Sequence, residues 1–401
     1  MSTKIAIIGA GASGMMAAIT ASKNTHNLIT VFEANDRVGK KILSTGNGKC
    51  NFTNLNMSSE YYYCDDKDFV ENALKRFGCN ELINFFRERG MLILNKNGYC
   101  YPYSQQASTV LDILRMGLDK PNIEVITNAK VSRIRVCDDK YIVSADQEYK
   151  FDKVVVAVGS PASTKNTQTG LEILNGLDIR FEKFLPALTQ IECEGFNFPA
   201  VKGVRSDATV SVYVDDKQYS KSTGELLFTD SGISGIVSFQ LSRICSKALA
   251  EHRNVKVLVD LAPEFDTESL IQFAKDKLDK FTGQTVDEFM IGLVNKKLNV
   301  ELMRLAGIKP TDSVKDLSAD KIVKLVSLIK NLKFNVSSTR GFESSQVCAG
   351  GVCIDELNSN FESVKHKNLF FSGEITNVDG ICGGYNLQWA FTSGHIIGEH
   401  L

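Results

Sequence analysis

No apolar run in this 401-residue chain approaches the ~18–20 residues that a membrane-spanning helix requires, so a soluble globular protein is expected. An excess of charge of one sign is missing as well: 46 Lys+Arg stand against 47 Asp+Glu, a net charge of −1. That balance argues against a dedicated nucleic-acid binder, because counterion release needs a basic face. With 43% hydrophobic residues beside so small a net charge, a disordered chain is excluded. Proline is scarce, at 7 residues, and the 30 glycines follow no triplet repeat, which excludes collagen-like and low-complexity chains. The 10 cysteines form no CxxC pair, and none of the 5 histidines stands at ligand spacing to them, so no metal site is expected. The apolar stretch Ile5–Ile19 after Lys4 imitates an export signal, but three glycines at fixed spacing interrupt it. Without an export signal the cysteines read as reduced thiols and the expected location is cytoplasmic. The length suggests two or three domains.

The beginning of the chain carries the strongest pattern. Lys4–Ile8 is a short continuous apolar run, as a parallel strand buried on both faces requires. It enters Gly9-Ala-Gly11-Ala12-Ser13-Gly14, a GxGxxG, and Met15–Ser22 continues in small and apolar residues as a helix. Asn27–Phe32 is a second strand, with Glu33 at its end. Gly9 permits the tight turn, Gly11 lets the backbone approach a pyrophosphate, and Gly14 lets helix and strand pack closely. The helix start offers N–H groups and a positive dipole end to the anion. A carboxylate at position 33 suits the two ribose hydroxyls, which favours FAD or NAD over NADP.

The following residues separate FAD from NAD. Arg37, Lys40 and Lys41 form a basic turn, and Ser44–Asn54 is a Gly/Asn/Thr-rich segment expected to be a long irregular loop. Such a loop presents many backbone N–H groups to a pyrophosphate, a ribityl chain or a flavin edge. Further apolar strands end in glycine at Val154–Gly159 and in Gly373-Glu374 after Asn368–Ser372. Asp379, Gly383 and Gly384 then precede a run from Tyr385 that reads as a helix, whose start would stabilise negative charge on a reduced flavin. A Rossmann unit at one end with a glycine-rich strand and helix at the other is the two-ended arrangement of FAD enzymes.

These three stretches carry a resemblance. Gly9–Gly14, Gly39–Asn54 and Gly373–Ala390 together resemble the HI0933/YhiN-type flavoprotein family, also labelled aminoacetone oxidase family FAD-binding enzymes or BaiN-type NAD(P)/FAD-dependent oxidoreductases. The resemblance spans essentially the whole chain. It departs only at Lys49, where Arg is common, and at Val158-Gly159, where Thr-Gly is common. It implies FAD held non-covalently and an α/β fold: a Rossmann-type FAD-binding domain built from both chain ends, with an inserted domain of β-barrel plus α-helical subdomain. The expected boundaries are 1–186 and 337–401 for the FAD-binding domain, 187–266 for the barrel and 267–336 for the helices. Residues and resemblance together make Gly9, Gly11, Ala12, Ser13, Gly14, Glu33, Ala34, Arg37, Lys40, Lys41, Gly46, Asn47, Gly48, Cys50, Asn51, Val131, Ala157, Gly159, Gly373, Glu374, Asp379, Gly383, Gly384, Tyr385, Asn386 and Leu387 the cofactor-binding candidates. Cys50, Asn51, Tyr385 and Asn386 are the catalytic candidates, while His395 reads as a packing or capping residue.

The middle of the chain fits an insertion. Residues 189–193, 207–214, 217–221, 224–229 and 255–260 read as separate strands, with Asp215-Asp216 as a turn. From Thr267 to Leu332 apolar residues recur at helical spacing among lysines, as on a solvated helix face. A substrate pocket is expected between the insertion and the flavin domain, because pockets favour domain interfaces. A second GxGxxG for a nicotinamide cofactor is missing. The expected function is therefore an FAD-dependent oxidoreductase that oxidises a small amine by hydride transfer to flavin N5, with O2 as acceptor. Two alternatives stand beside it. One is an NAD(P)H-dependent flavin reductase of an enone such as a dehydro-bile acid, and the other a flavoprotein that binds RNA or a partner with FAD as redox sensor. The expected partner is a small-molecule substrate, with no nucleic acid and no membrane.

Overall fold

The apolar runs of the chain pair side by side. The computed structural model describes residues 2–164, 170–281 and 283–401. In it, β1 (Thr3–Ile8), β2 (Asn27–Phe32), β3 (Ile123–Ile126), β4 (Lys153–Val156) and β5 (Leu369–Phe371) form a sheet in the order β5-β4-β1-β2-β3. Every neighbouring pair is parallel; Ile5 lies opposite Ile29 on one side and Lys153 on the other, and Val154 lies opposite Leu369. Ile5, Ala6 and Ile7 are fully buried, which is why this strand is continuously apolar rather than alternating. The sheet brings the chain's first strand and Leu369–Phe371, near its other end, within one strand of each other.

Helix α1 (Ala12–Ala21) connects β1 to β2, and all ten of its residues are buried. Helix α2 (Tyr385–His400) packs along it. A Cβ placed on Gly394 would stand 2.3 Å from the Ser13 carbonyl oxygen, and one on Gly398 would stand 2.7 Å from that of Ala17. These two positions are one helical turn apart, so α2 turns a bare stripe toward the backbone of α1. An antiparallel meander, Arg133–Cys137, Lys140–Ser144 and Glu148–Phe151, leads into β4. A smaller antiparallel sheet pairs Tyr99–Pro102 with Ile93–Lys96 on one side and Thr53–Asn54 on the other. These elements belong to one compact unit, the residues up to Leu185 together with Gln346–Leu401.

The second unit, Pro186–Ser345, contains a closed six-stranded barrel. Its strands run in the order Ile191–Glu194, Gly232–Ser234, Lys217–Phe228, Arg205–Val214, Val255–Asp260 and Leu332–Thr339. Alternation buries Val210, Val212, Val257 and Val259 in the interior. Asp215 and Asp216 make the expected turn, both in the left-handed region with φ of 47° and 64°. Two details differ from the sequence reading. The strands expected at 217–221 and 224–229 are one strand, Lys217–Phe228, because Ser222 and Thr223 keep pairing with Val210 and Thr209. Residues Ile236–Ala250, read as part of an alternating region, form a helix that buries Val237, Leu241, Cys245 and Ala248 at helical spacing. Helices Thr267–Lys280, Lys296–Ala306 and Ala319–Lys330 follow. Among the described residues no helix is long and apolar enough to cross a membrane.

Candidate cofactor and active site

Strands of a parallel sheet all end on one edge. Here that edge gathers Gly9 after β1, Glu33 after β2, Ala157 after β4 and Gly373 after β5. The connections diverge at β1, whose neighbours β2 and β4 lie on opposite sides, and ligands of open α/β sheets bind outside such a switch point. Gly9 turns there with φ +102°, and a Cβ on it would lie 2.4 Å from the Ala157 carbonyl oxygen. Gly14 is closer still, 1.9 Å from Cβ to the Gly9 oxygen. Gly11 is different: nothing lies within 4 Å of its missing Cβ. Packing requires glycine at 9 and 14, whereas at 11 the fold leaves open space.

That open space faces a helix start. Gly11 is the N-cap of α1, makes no side-chain cap, and no acid occupies the first turn, so the turn suits an anion. Glu33 is 7% exposed and held in place: one oxygen accepts the Ala10 N–H at 3.0 Å, the other accepts the Asn35 backbone and side-chain N–H groups at 2.8 and 2.7 Å. Its remaining lone pairs are the ones a ribose would use. Ala34 and Arg37 are exposed beyond it, and Val131 is buried.

The Gly/Asn-rich loop is wound rather than extended. Residues Lys40–Gly48 form short turns broken at Thr45, Gly46 and Asn47, with Gly48 following at φ +80°. Lys40 pairs with Asp36 at the surface, while Lys41 reaches Glu374 at 2.7 Å. The other oxygen of Glu374 accepts the Cys348 N–H at 3.1 Å. Cys50 is fully buried, and burial pushes its thiol up to about 12, so it is a neutral thiol rather than a thiolate at ordinary pH. Asn51 ends the loop with its Oδ1 buried and without a hydrogen-bond partner, 3.0 Å from where a Cβ on Gly384 would be. A buried orphan acceptor is costly unless a bound donor fills it. The open space at Gly11, the uncapped helix start and this acceptor fit a dinucleotide with a flavin ring.

The C-terminal stretch supplies the opposite wall. Gly383 and Gly384 have φ of 131° and 93°, and α2 starts from Gly384. Asn386 closes this turn: its Oδ1 accepts the Gly380 N–H at 2.8 Å and its Nδ2 donates to the Gly380 carbonyl at 2.8 Å. Asp379 is buried in a two-residue strand opposite Tyr63, and Leu387 is half-buried on the first turn of α2. Gly159 turns with φ +70° into open space. Tyr385 is buried; its hydroxyl donates to the Asn56 carbonyl at 3.3 Å, and its ring lies 5.2 Å from that of Tyr61. Burial and the neighbouring Tyr61 and Tyr99 phenols push its hydroxyl up to about 12. His395 lies further along α2, stacked on Phe77 at 3.9 Å, in a packing position.

Some residues here were not among the site candidates read from the sequence. Thr53 donates to Gln388 at 2.5 Å, and Gln388 in turn donates to the Phe77 carbonyl and to Thr392. Asn54 donates to the Gly383 carbonyl at 3.0 Å. The Thr53–Gln388 and Asn54–Gly383 bonds tie the middle loop to α2 and the turn before it, across 335 and 329 positions of chain. Only the Thr/Asn-rich composition of the loop hinted at them.

The sheet edge, the glycine turn with its acidic strand end and the C-terminal helix define the class, an FAD-dependent oxidoreductase of Rossmann type. The chain belongs to the HI0933-like family: the model of the HI0933-like protein Rossmann domain matches residues 3–400. It is 36% identical over 401 residues to a protein of Clostridium scindens named 3-dehydro-bile acid delta(4,6)-reductase, covering 99% of this chain and 98% of that one. It is 29% identical over 400 residues to the ribosomal RNA dihydrouridine synthase of Haemophilus influenzae, covering 97% and 96%. Among solved structures, the 3-ketosteroid delta1-dehydrogenase from Sterolibacterium denitrificans shares the fold, with a TM-score of 0.51 and 11% identity over 100% of this chain and 99% of that one.

Proposed function

We propose that this protein reduces a carbon–carbon double bond conjugated to a carbonyl, drawing its electrons from NAD(P)H through FAD. The observation that carries the reading is the phenol cluster at the start of α2. Tyr385, beside Tyr61, is held protonated by burial, with its hydroxyl pushed up to about 12. Such a phenol is neutral near pH 7, so it cannot take a proton and can hand its own only to a strongly basic centre, such as the α-carbon of an enolate. Reduction of an enone needs such a donor for the α-carbon. The expected oxidation of a small amine asks for the opposite, a group that keeps the amine neutral.

FAD, when bound, supplies hydride from its N5. The chain does the rest. The Gly9–Gly14 turn and α1 would hold the pyrophosphate, Glu33 the ribose, and the Gly46–Asn51 loop with Asn51 Oδ1 a flavin-ring or ribityl donor. Asn386 fixes the Gly380–Gly384 turn from which α2 starts, and Tyr385 on its first turn, whose hydroxyl now donates to the Asn56 carbonyl, would be the proton donor. Lys41 and Glu374 brace one another at the end of β5.

The relatives support this class of bond. One is named as a reductase of a 3-dehydro-bile acid. The other is named for dihydrouridine, which arises from uridine when the uracil double bond beside a carbonyl is reduced. The expectation of no nucleic-acid partner is thereby put to the test together with the substrate. Purified flavoprotein is reduced anaerobically with NADH or NADPH and then offered a dienone steroid, a uridine-containing ribosomal RNA transcript or an amine. Reoxidation by the dienone, with one equivalent of reduced product, is the expected result. No bleaching by either nicotinamide, with bleaching by the amine and peroxide on readmitting air, would overturn it.

A further inference from the structure

We propose that the outer face of the strand Tyr99–Pro102 is the platform on which a flat, apolar, carbonyl-bearing ring system lies. Side chains alternate along a strand. Cys100 and Pro102 point into the core and are buried, so Tyr99, Tyr101 and the following Tyr103 share the opposite face. Tyr99 is 38% exposed and Tyr103 63%. The neighbouring strand adds leucines to that face. Leu94 lies opposite Tyr101, and the Leu92 carbonyl accepts the Tyr103 N–H at 2.8 Å, with Leu92 72% exposed. Three phenols and two leucines in register form a surface that folding alone does not require, since each large exposed apolar side chain forgoes burial.

Its position gives the surface a purpose. The ring edge of Tyr99 stands 3.0 Å from the missing Cβ of Gly383, next to Tyr385 at 3.1 Å. The ring edge of Tyr101 stands 3.8 Å from that of Gly46. The row therefore runs between the two glycine turns that flank the cofactor cradle, and continues past it to Tyr103 and Leu92. A rigid polycyclic enone laid along it would stack on phenol faces, meet phenol hydroxyls with its oxygens and end beside Tyr385. The leucines argue for an apolar ring system over a phosphate-bearing strand. Lys96, paired opposite Tyr99, already donates to Gln105 at 2.9 Å.

The inference rests on the reductase reading, and the test separates the two. Binding of androst-4-ene-3,17-dione to the oxidised holoenzyme is measured by equilibrium dialysis, independently of turnover, for the parent, Tyr103→Ser, Leu92→Ser, the double variant and Leu28→Ser. Leu28 is an exposed apolar residue on β2, away from the platform. Each platform substitution should weaken binding roughly five- to tenfold, as loss of an aromatic or apolar contact does. The double variant should lose about fiftyfold, with Leu28→Ser unchanged. In turnover the same variants should raise KM by those factors and leave kcat within about twofold. Failure of the parent to be reduced by NAD(P)H while the binding pattern holds would sink the reductase reading alone. Equal binding by parent and double variant, or no binding by the parent, would overturn the platform. So would a parent dimer that becomes monomeric in the double variant, which assigns the face to a second copy. Binding of uridine-containing RNA that is lost in the double variant, without steroid binding, would overturn it in favour of a nucleic-acid face.

Discussion

Replacing Gly11 or Gly14 by alanine separates what the glycine turn does for folding from what it does for the cofactor. Gly11 has φ −79° and ψ −169°, extended backbone that alanine adopts, and its Cβ would meet nothing within 4 Å. Losing glycine as an N-cap costs about 1 kcal/mol, and the stiffer unfolded chain returns ~0.4–1 kcal/mol. Stability should therefore hold within about 1 kcal/mol, a Tm change under about 4 °C. The added methyl does, however, enter the space proposed for the pyrophosphate. Overpacking there of ~1–3 kcal/mol weakens FAD roughly 5- to 150-fold. At Gly14 the methyl would stand 1.9 Å from the Gly9 carbonyl oxygen, backbone that cannot swing aside. That variant should lose about 3 kcal/mol or more, or roughly 6–12 °C. The protein carries its own reporter: its one tryptophan, Trp389, is 1% exposed on α2. FAD titration of its fluorescence gives affinity, and far-ultraviolet dichroism gives Tm. A Gly11→Ala protein that binds FAD like its parent would refute the placement of the pyrophosphate. One that melts as low as Gly14→Ala would refute the claim of open space.

Four further outcomes are expected. Glu33→Ala strips the acceptor from Ala10 and Asn35, so it should lose ~1–3 kcal/mol and much of its flavin; full flavin occupancy after purification counts against the ribose role. Tyr385→Phe should lower turnover ~10²-fold or more, and with the parent phenol pushed up to about 12, stopped-flow substrate reduction should not slow between pH 7 and 10 through loss of this proton. His395 is held below its ordinary value, first by burial. The unfolded chain therefore takes up the proton first, and its contribution to stability is complete above about pH 6.5 and lost as pH falls through the folded value; His395→Gln should flatten the Tm–pH curve on that acid side. Gly394→Ala drives a methyl to 2.3 Å from the Ser13 carbonyl, so its Tm should fall by ~2–12 °C, whereas Gly341→Ala, with open space around it, should melt like the parent.

The parts that were legible in the sequence are those whose reasons are local. β1, the GxGxxG turn, α1, β2 and Glu33 follow from period, glycine spacing and a strand-end acid within thirty-three residues. The helix from Tyr385, and the two glycines that open it, were legible for the same reason. The long strand Lys217–Phe228 was not, because Ser222, Thr223 and Gly224 look like a turn until a partner strand is supplied. Helix Ile236–Ala250 was missed because its serines and single lysine blur a helical stripe that is clear once its buried side is known. The pairing of Lys41 with Glu374, and of Thr53 with Gln388, joins residues 333 and 335 positions apart. No local pattern encodes such a pair. Asn386 was legible as a polar residue near the cofactor, but its use as a clamp on Gly380 depends on a bend that only the structure shows.

The bare stripe of α2 against α1 also bears on how the chain is made. Ser13 reaches the carbonyl of Ser372, 359 positions later, so at ~5–20 residues per second roughly 20–70 s of synthesis separate the two. During that interval the nucleotide turn exists, but neither the helix nor the edge strand that completes it has left the ribosome. The barrel unit is emitted as one contiguous stretch and can close in the meantime. A nascent chain stalled before residue 369 should therefore carry a folded barrel and no flavin.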